Sequence, residues 1–290
     1  MTTTAVEGFR TFNSWLIPSD AERAKAASHR QTIYDKLDAK YGVYRMFQSG
    51  SFRHGTGITG HSDVDYFVSL QAERPSLSSS ILSSVRETLQ SRFTTTYIHV
   101  SRPAVVLEFG NGYERVEIIP AYATGKVGDT DNMKYKIPGV TTEWLESTPE
   151  AHLAYVNASD VKVPDSSTKK LIRLVKAWKY YRNVPISSFY LEMRAAAYMR
   201  EQESYIPWLD LYYLLKRLSD SGLAAMNDPT GNTGRINACS SQATYDDAIS
   251  KLSTALGRAK NAMDYKDVGY MSLAFDEWNK LFNYKFPSYG

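Results

Sequence analysis

The run Gly50-Ser51-Phe52-Arg53-His54-Gly55-Thr56 is followed closely by His61-Ser62-Asp63-Val64-Asp65-Tyr66-Phe67-Val68. The first is a small hydroxyl-bearing loop whose glycines let backbone amides approach a phosphate. Ser51 can donate to a phosphate oxygen, with Arg53 or His54 assisting. The second places two carboxylates alternately along an apolar strand. Successive strand side chains point to opposite faces, so Asp63 and Asp65 share one face while Val64 and Tyr66 take the other. Adjacent anions repel, and a divalent cation between them removes that cost. Magnesium, a hard ion bound by carboxylates plus substrate phosphates, suits oxygen ligands of this kind. The chemistry implied is metal-dependent phosphoryl or nucleotidyl transfer.

A third acid comes from a later strand, where Arg115, Glu117 and Ile119 share a face. Asp63, Asp65 and Glu117 are therefore the expected catalytic and metal-ligating set. Two ions roughly 3.5–4 Å apart on such a set can neutralise a triphosphate, activate an attacking hydroxyl and stabilise the leaving pyrophosphate. The plainer alternative is a pair of surface acids at a strand entrance, a glutamate on a solvated strand, and a turn whose glycines only satisfy unusual dihedrals. The combination of loop, acid pair and third acid favours the functional reading. Lys169, Arg173 and Lys176 have the spacing of one helical face and could grip a triphosphate, although most such stripes are merely solvated. Ser187-Ser188-Phe189 opens the next helix, where free amides favour an anion and the ring could stack on a base. A serine cap followed by a core phenylalanine is the equally open alternative. His61, Ser62 and Asp63 are contiguous and cannot form a hydrolase triad on one strand.

These residues need elements to hold them. Ser19-Asp20-Ala21-Glu22 reads as a capping box opening one long helix that ends at Gly42. Strands are expected over Val43 to Gln48, Val64 to Leu70, Thr95 to Val100 and Ala104 to Phe109. Asn111-Gly112 should turn the chain into another, Glu114 to Pro120. Ser80 to Phe93 reads as helical. Beyond Tyr122 a loop with Gly125, Gly128, Pro138 and Gly139 leads into helical periodicity. Helices are expected over Thr168 to Arg182, Phe189 to Glu201, Leu209 to Ser221, Tyr245 to Asp264 and Ser272 to Phe282. The expected domains are 1–135, carrying the acids, and 136–290, mostly helical.

The 290 residues carry a formal net charge of +3 with both signs mixed, which lacks the strongly basic footprint of a nucleic-acid-coating protein. The single cysteine, Cys239, excludes an internal disulfide framework and a cysteine-rich zinc site, and makes a reducing cytoplasm the expected compartment. The first residues have neither a basic start nor an apolar run, and no stretch approaches bilayer length, so a soluble, unanchored protein is expected.

Gly50-Ser51, Asp63-x-Asp65 and an acid before Ile118-Ile119-Pro120 together resemble the catalytic core of the polymerase β-like nucleotidyltransferases. Leu171 to Trp178 and Ser188 to Glu192 resemble helices of the 2′-5′-oligoadenylate synthases and of the bacterial cGAS/DncV-like nucleotidyltransferases. Asp228 to Asn232 is similar to a loop of the former, and Trp144 to His152 to a segment of bacterial cyclic-oligonucleotide synthases. The resemblance implies an α+β protein: a polymerase β-like lobe with a mixed sheet, a helical oligoadenylate-synthase-like lobe, and an active site in the cleft between them. It implies two magnesium ions (manganese as a substitute) on Asp63, Asp65 and Glu117, with Gly50 and Ser51 at phosphate. Lys169, with Ser188, would hold the triphosphate; Phe189 would stack on the donor base, and Ser147 would read a base, a purine being preferred. The family usually has aspartate where this chain has Glu117. The activity implied is synthesis of a cyclic di- or oligonucleotide second messenger from ribonucleoside triphosphates, in antiphage (CBASS) signalling. The enzyme is expected to be a monomer needing no nucleic acid, its product acting on a separate effector. The alternatives are nucleotidyl transfer to RNA or protein, and a catalytically impaired nucleotide sensor.

Overall fold

The computed structural model describes residues 2–61, 63–110, 114–140, 142–160, 163 and 165–290, the side chains of Arg23, Lys25 and Ala26 excepted. The chain forms two compact units, Pro18–Gly55 with Ser62–Leu153, and Met1–Ile17 with Thr56–His61 and Ala154–Gly290. The boundary expected after residue 135 is thereby corrected. The sheet continues beyond that point, and the first helix packs with the carboxyl-terminal helices.

The first unit holds α2 (Asp20–Ser28), α3 (Arg30–Tyr41), β1 (Val43–Ser49), α4 (Gly50–His54), β2 (Val64–Leu70) and α5 (Ser78–Gln90). Then come β3 (Tyr97–Ser101), β4 (Ala104–Phe109), β5 (Glu114–Lys126), β6 (Met133–Pro138), β7 (Trp144–Ser147) and the start of α6 (Pro149–Asn157). Among the described residues the strands form one seven-stranded mixed sheet in the order β1-β2-β5-β4-β3, with β6 joining β5 and β7 joining β6. Only the β2–β5 pairing is parallel among these strand pairs. Alternation sorts the side chains. Val64, Tyr66, Val68, Leu107, Val116 and Ile118 pack against Ile33, Leu37, Leu82 and Val85 of α3 and α5, while Phe47, Phe67, Ala121, Tyr135 and Ile137 form a second cluster.

Two expectations change. The single long helix is two, α2 and α3, interrupted at His29, whose ring stacks on Phe109 at 3.7 Å. The loop expected after Tyr122 contains β6 and β7. The Asn111-Gly112 turn lies outside the described residues, although β4 and β5 pair antiparallel on either side of it.

The second unit opens with α1 (Ala5–Leu16), which sequence reading missed although Thr4 and Glu7 form a capping box. It continues through the 3-10 turn Ala158–Asp160, α7 (Ser167–Tyr181), α8 (Ser188–Met199), α9 (Pro207–Asp220), β8 (Met226–Asn227), β9 (Arg235–Ile236), α10 (Gln242–Asp267) and α11 (Met271–Leu281). Phe9 and Phe12 of α1 meet Trp278 and Phe282 at ring separations of 5.0 and 4.5 Å, inside a core that includes Leu171, Trp178, Leu191 and Phe275. Among the described residues no helix is long and apolar enough to cross a membrane.

Candidate active site

The parallel pairing of β2 with β5 sets Asp65 opposite Glu117. Register partners point to the same side of a sheet, so both carboxylates stand on one face while their neighbours Val64, Tyr66, Val116 and Ile118 are buried on the other. Asp63 lies immediately before β2. Arg115, two residues before Glu117 on the same face, donates through Nη2 to Glu117 Oε1 at 2.8 Å and through Nε to the same oxygen at 3.2 Å. Its Nε also lies 3.2 Å from Asp63 Oδ2. Burial by itself would lower the Arg115 pKa; the hydrogen bond to Glu117 and the charges of Asp63, Glu117 and Glu108 outweigh it and hold the group above its ordinary value.

The structure thus brings the three expected acids to one face, and it adds a cation between two of them. Among the described residues no three His, Cys, Asp or Glu side chains are grouped so as to hold a metal ion as they stand. The donor set still fits a divalent ion. All three acids offer hard oxygens, and the guanidinium between Asp63 and Glu117 stands where positive charge is accommodated.

Gly50 supports this centre from the neighbouring strand turn. Ser49 pairs with Asp65 across β1 and β2, and Gly50 follows with φ +60°. A Cβ built on Gly50 would lie 1.9 Å from Asp65 Oδ2 and 2.8 Å from its Cγ. The aspartate therefore rests directly on the glycine backbone, a contact any other residue would forbid. Ser51 is half-buried in α4, which Gly55 closes by donating to the carbonyls of Phe52 and Ser51. Arg53 is tied back to the Gln48 carbonyl at 3.3 Å. Ser147 stands half-buried on β7, paired with Tyr135 of β6.

In the helical unit the expected cation stripe is corrected. Arg173 is 8% exposed and donates from Nε to Asn13 Oδ1 at 3.0 Å, so it braces α7 on α1. Lys176 is 1% exposed, with Nζ 3.8 Å from Glu192 Oε2 on α8. Of the three, only Lys169 is half-buried and not enclosed. The buried Glu192 also accepts from Thr56 Oγ1 at 2.8 Å, fastening the segment that leaves the glycine-serine turn. Replacing Glu192 by alanine leaves the Lys176 ammonium enclosed opposite a cavity; a loss of about 3–5 kcal/mol is expected. Denaturant unfolding checks this. A loss below about 1 kcal/mol would mean the pair is dispensable.

Ser187 caps α8, accepting from the Tyr190 amide at 3.3 Å. Ser188 shares a 3.1 Å hydrogen bond with the Tyr180 hydroxyl, and Phe189 is exposed and not part of the core. Sequence reasoning missed Tyr180. Its ring stacks on His61 at 5.1 Å and 10°, and Lys179 Nζ lies 4.3 Å from its centroid. Burial, then the Lys179 charge, keep the His61 imidazole below its ordinary pKa, hence neutral over a wider range. No sequence spacing links His61 to Tyr180; the fold alone joins them.

A family model, the Second Messenger Oligonucleotide or Dinucleotide Synthetase domain (SMODS), matches residues 1–159. A probable cyclic nucleotide synthase of Bacillus cereus (strain VD146) is 26% identical over 196 residues, which are 66% of this chain and 57% of that protein. The chain thus spans little more than half the length of that curated relative. Among solved structures, E. coli MS115-1 CdnC with ATP superposes with a TM-score of 0.75 at 16% identity, covering 97% of this chain and 98% of that one. Bradyrhizobium diazoefficiens CdnG with GTP gives 0.72 at 12% identity, covering 97% and 98%. Vibrio cholerae DncV cyclic AMP-GMP synthase, holding a linear intermediate, gives 0.67 at 15%, covering 98% and 80%. These likenesses show the fold, a mixed helix-and-sheet architecture shared with those three proteins.

Proposed function

Since the chain belongs to the SMODS family of second messenger oligonucleotide or dinucleotide synthetases, we propose that it makes a cyclic di- or oligonucleotide from ribonucleoside triphosphates and releases pyrophosphate. The observation that carries this reading is the pairing of Asp65 with Glu117 on adjacent parallel strands, Asp63 beside them and Gly50 beneath. The ATP and GTP held by CdnC and CdnG support purine nucleotides as substrates.

In this mechanism Lys169 and Ser188 bind the triphosphate and Phe189 stacks on the base. Asp63, Asp65 and Glu117 hold the magnesium ions, which when bound neutralise the triphosphate and favour ionisation of the attacking hydroxyl. A ribose hydroxyl oxygen bonds to the α-phosphorus as the bond to the β-phosphate oxygen breaks; pyrophosphate leaves and the hydroxyl proton passes to solvent. Fixed positioning and charge complementarity supply the rate. A second transfer within the linear product closes the ring. The enzyme acts as a single chain in the cytoplasm, without a nucleic-acid activator, and its product serves antiphage (CBASS) signalling through a separate effector.

The test is incubation with all four ribonucleoside triphosphates and magnesium or manganese, then phosphatase treatment and mass spectrometry. A phosphatase-resistant cyclic product is expected. Label transferred only to RNA or protein would overturn the reading. The Arg115 bridge favours a second reading, a nucleotide-binding protein without turnover, under which triphosphate binds but no pyrophosphate appears.

A further inference from the structure

We propose that Arg115 is a resident counter-cation of the carboxylate centre, which a divalent ion must displace, so that this residue sets the metal concentration at which the site fills. The inference rests on the metal-dependent reading above and deepens it.

Asp63 and Glu117 each contact the guanidinium, at 3.2 and 2.8 Å. A cation already neutralises the charge that would otherwise draw in a metal, and two like charges cannot share that space. The longer side chain of Glu117 matters here. Its Oε1 reaches both Nε and Nη2, a grip that a carboxylate one methylene shorter is less able to make from the same strand position.

The structure also provides a place for the displaced group. Glu108 of β4 is the register partner of Arg115 across the β4–β5 ladder, on the same face. The Arg115 side chain is 35% exposed, so its guanidinium can swing from the Asp63–Glu117 side to the Glu108 side without unpacking the core. Arg115 thus has two carboxylate environments on one surface, and the metal selects between them. The role is one of positioning and competition, acting through the acids.

Manganese binding to the whole protein, followed by the loss of the free-ion electron paramagnetic signal and by calorimetry, tests this without reference to turnover. Arg115→Met, which keeps the apolar stem and removes the charge, is expected to bind manganese about ten-fold more tightly than the wild type. Arg115→Lys, which keeps the charge, is expected to stay within about three-fold of it. Arg115→Gln is a second neutral variant, and thermal unfolding in chelator establishes that each protein is folded. Equal or weaker manganese affinity in the neutral variants overturns the counter-cation role while leaving the metal site intact. If neither the wild type nor the neutral variants bind manganese, the metal site itself falls, and this proposal with it.

Discussion

Asp65→Ala is expected to cut pyrophosphate release by at least about a thousandfold, because the side chain removed joins the acid face to its Gly50 support and offers oxygens on which several kcal/mol of transition-state stabilisation depend. The protein should stay folded, since Asp65 stands on the sheet face opposite the buried Val64 and Tyr66. The combination is diagnostic. Product assays and thermal unfolding on the same preparation check it: wild-type turnover in a folded Asp65→Ala protein would remove the carboxylate centre from the chemistry.

Gly50→Ala should come next in size. The added methyl would sit 1.9 Å from Asp65 Oδ2, so the carboxylate must move by an ångström or more. Displacements of that order at a reacting centre cost about a hundredfold in rate. The left-handed backbone at φ +60° adds about 1–2 kcal/mol of instability for a non-glycine residue. Turnover and manganese affinity should therefore fall together, in a protein that unfolds a few degrees earlier. A variant with full activity would mean that Asp65 can act from elsewhere.

The acid face was legible in the sequence because strand alternation is a local rule: Val64 to Leu70 fell where expected, and Glu117 followed from the same period on β5. Gly50 was legible only as a turn. That its missing side chain makes room for Asp65 depends on the β1–β2 register, which spacing does not encode. The stripe at Lys169, Arg173 and Lys176 was real as a helical face, yet its partners Asn13 and Glu192 come from other helices, so burial could not be read from α7 alone. Likewise β6 and β7 were hidden by Gly125, Gly128, Pro138 and Gly139, whose turn chemistry masked the short strands around them. The capping box of α1 was written plainly at Thr4 and Glu7 and was overlooked, although its helix has the same 12 residues as α3 and α8. The break at His29 stands where its ring stacks on Phe109, eighty residues away in sequence.

Neither acid-bearing strand is at an edge: β2 lies between β1 and β5, and β5 between β2 and β4. Their main-chain groups are committed on both sides before any ligand arrives. The backbone under Asp65 and Glu117 is consequently frozen in advance, and an incoming ion or nucleotide has only side chains to immobilise. Little of its binding free energy is then lost to ordering the protein.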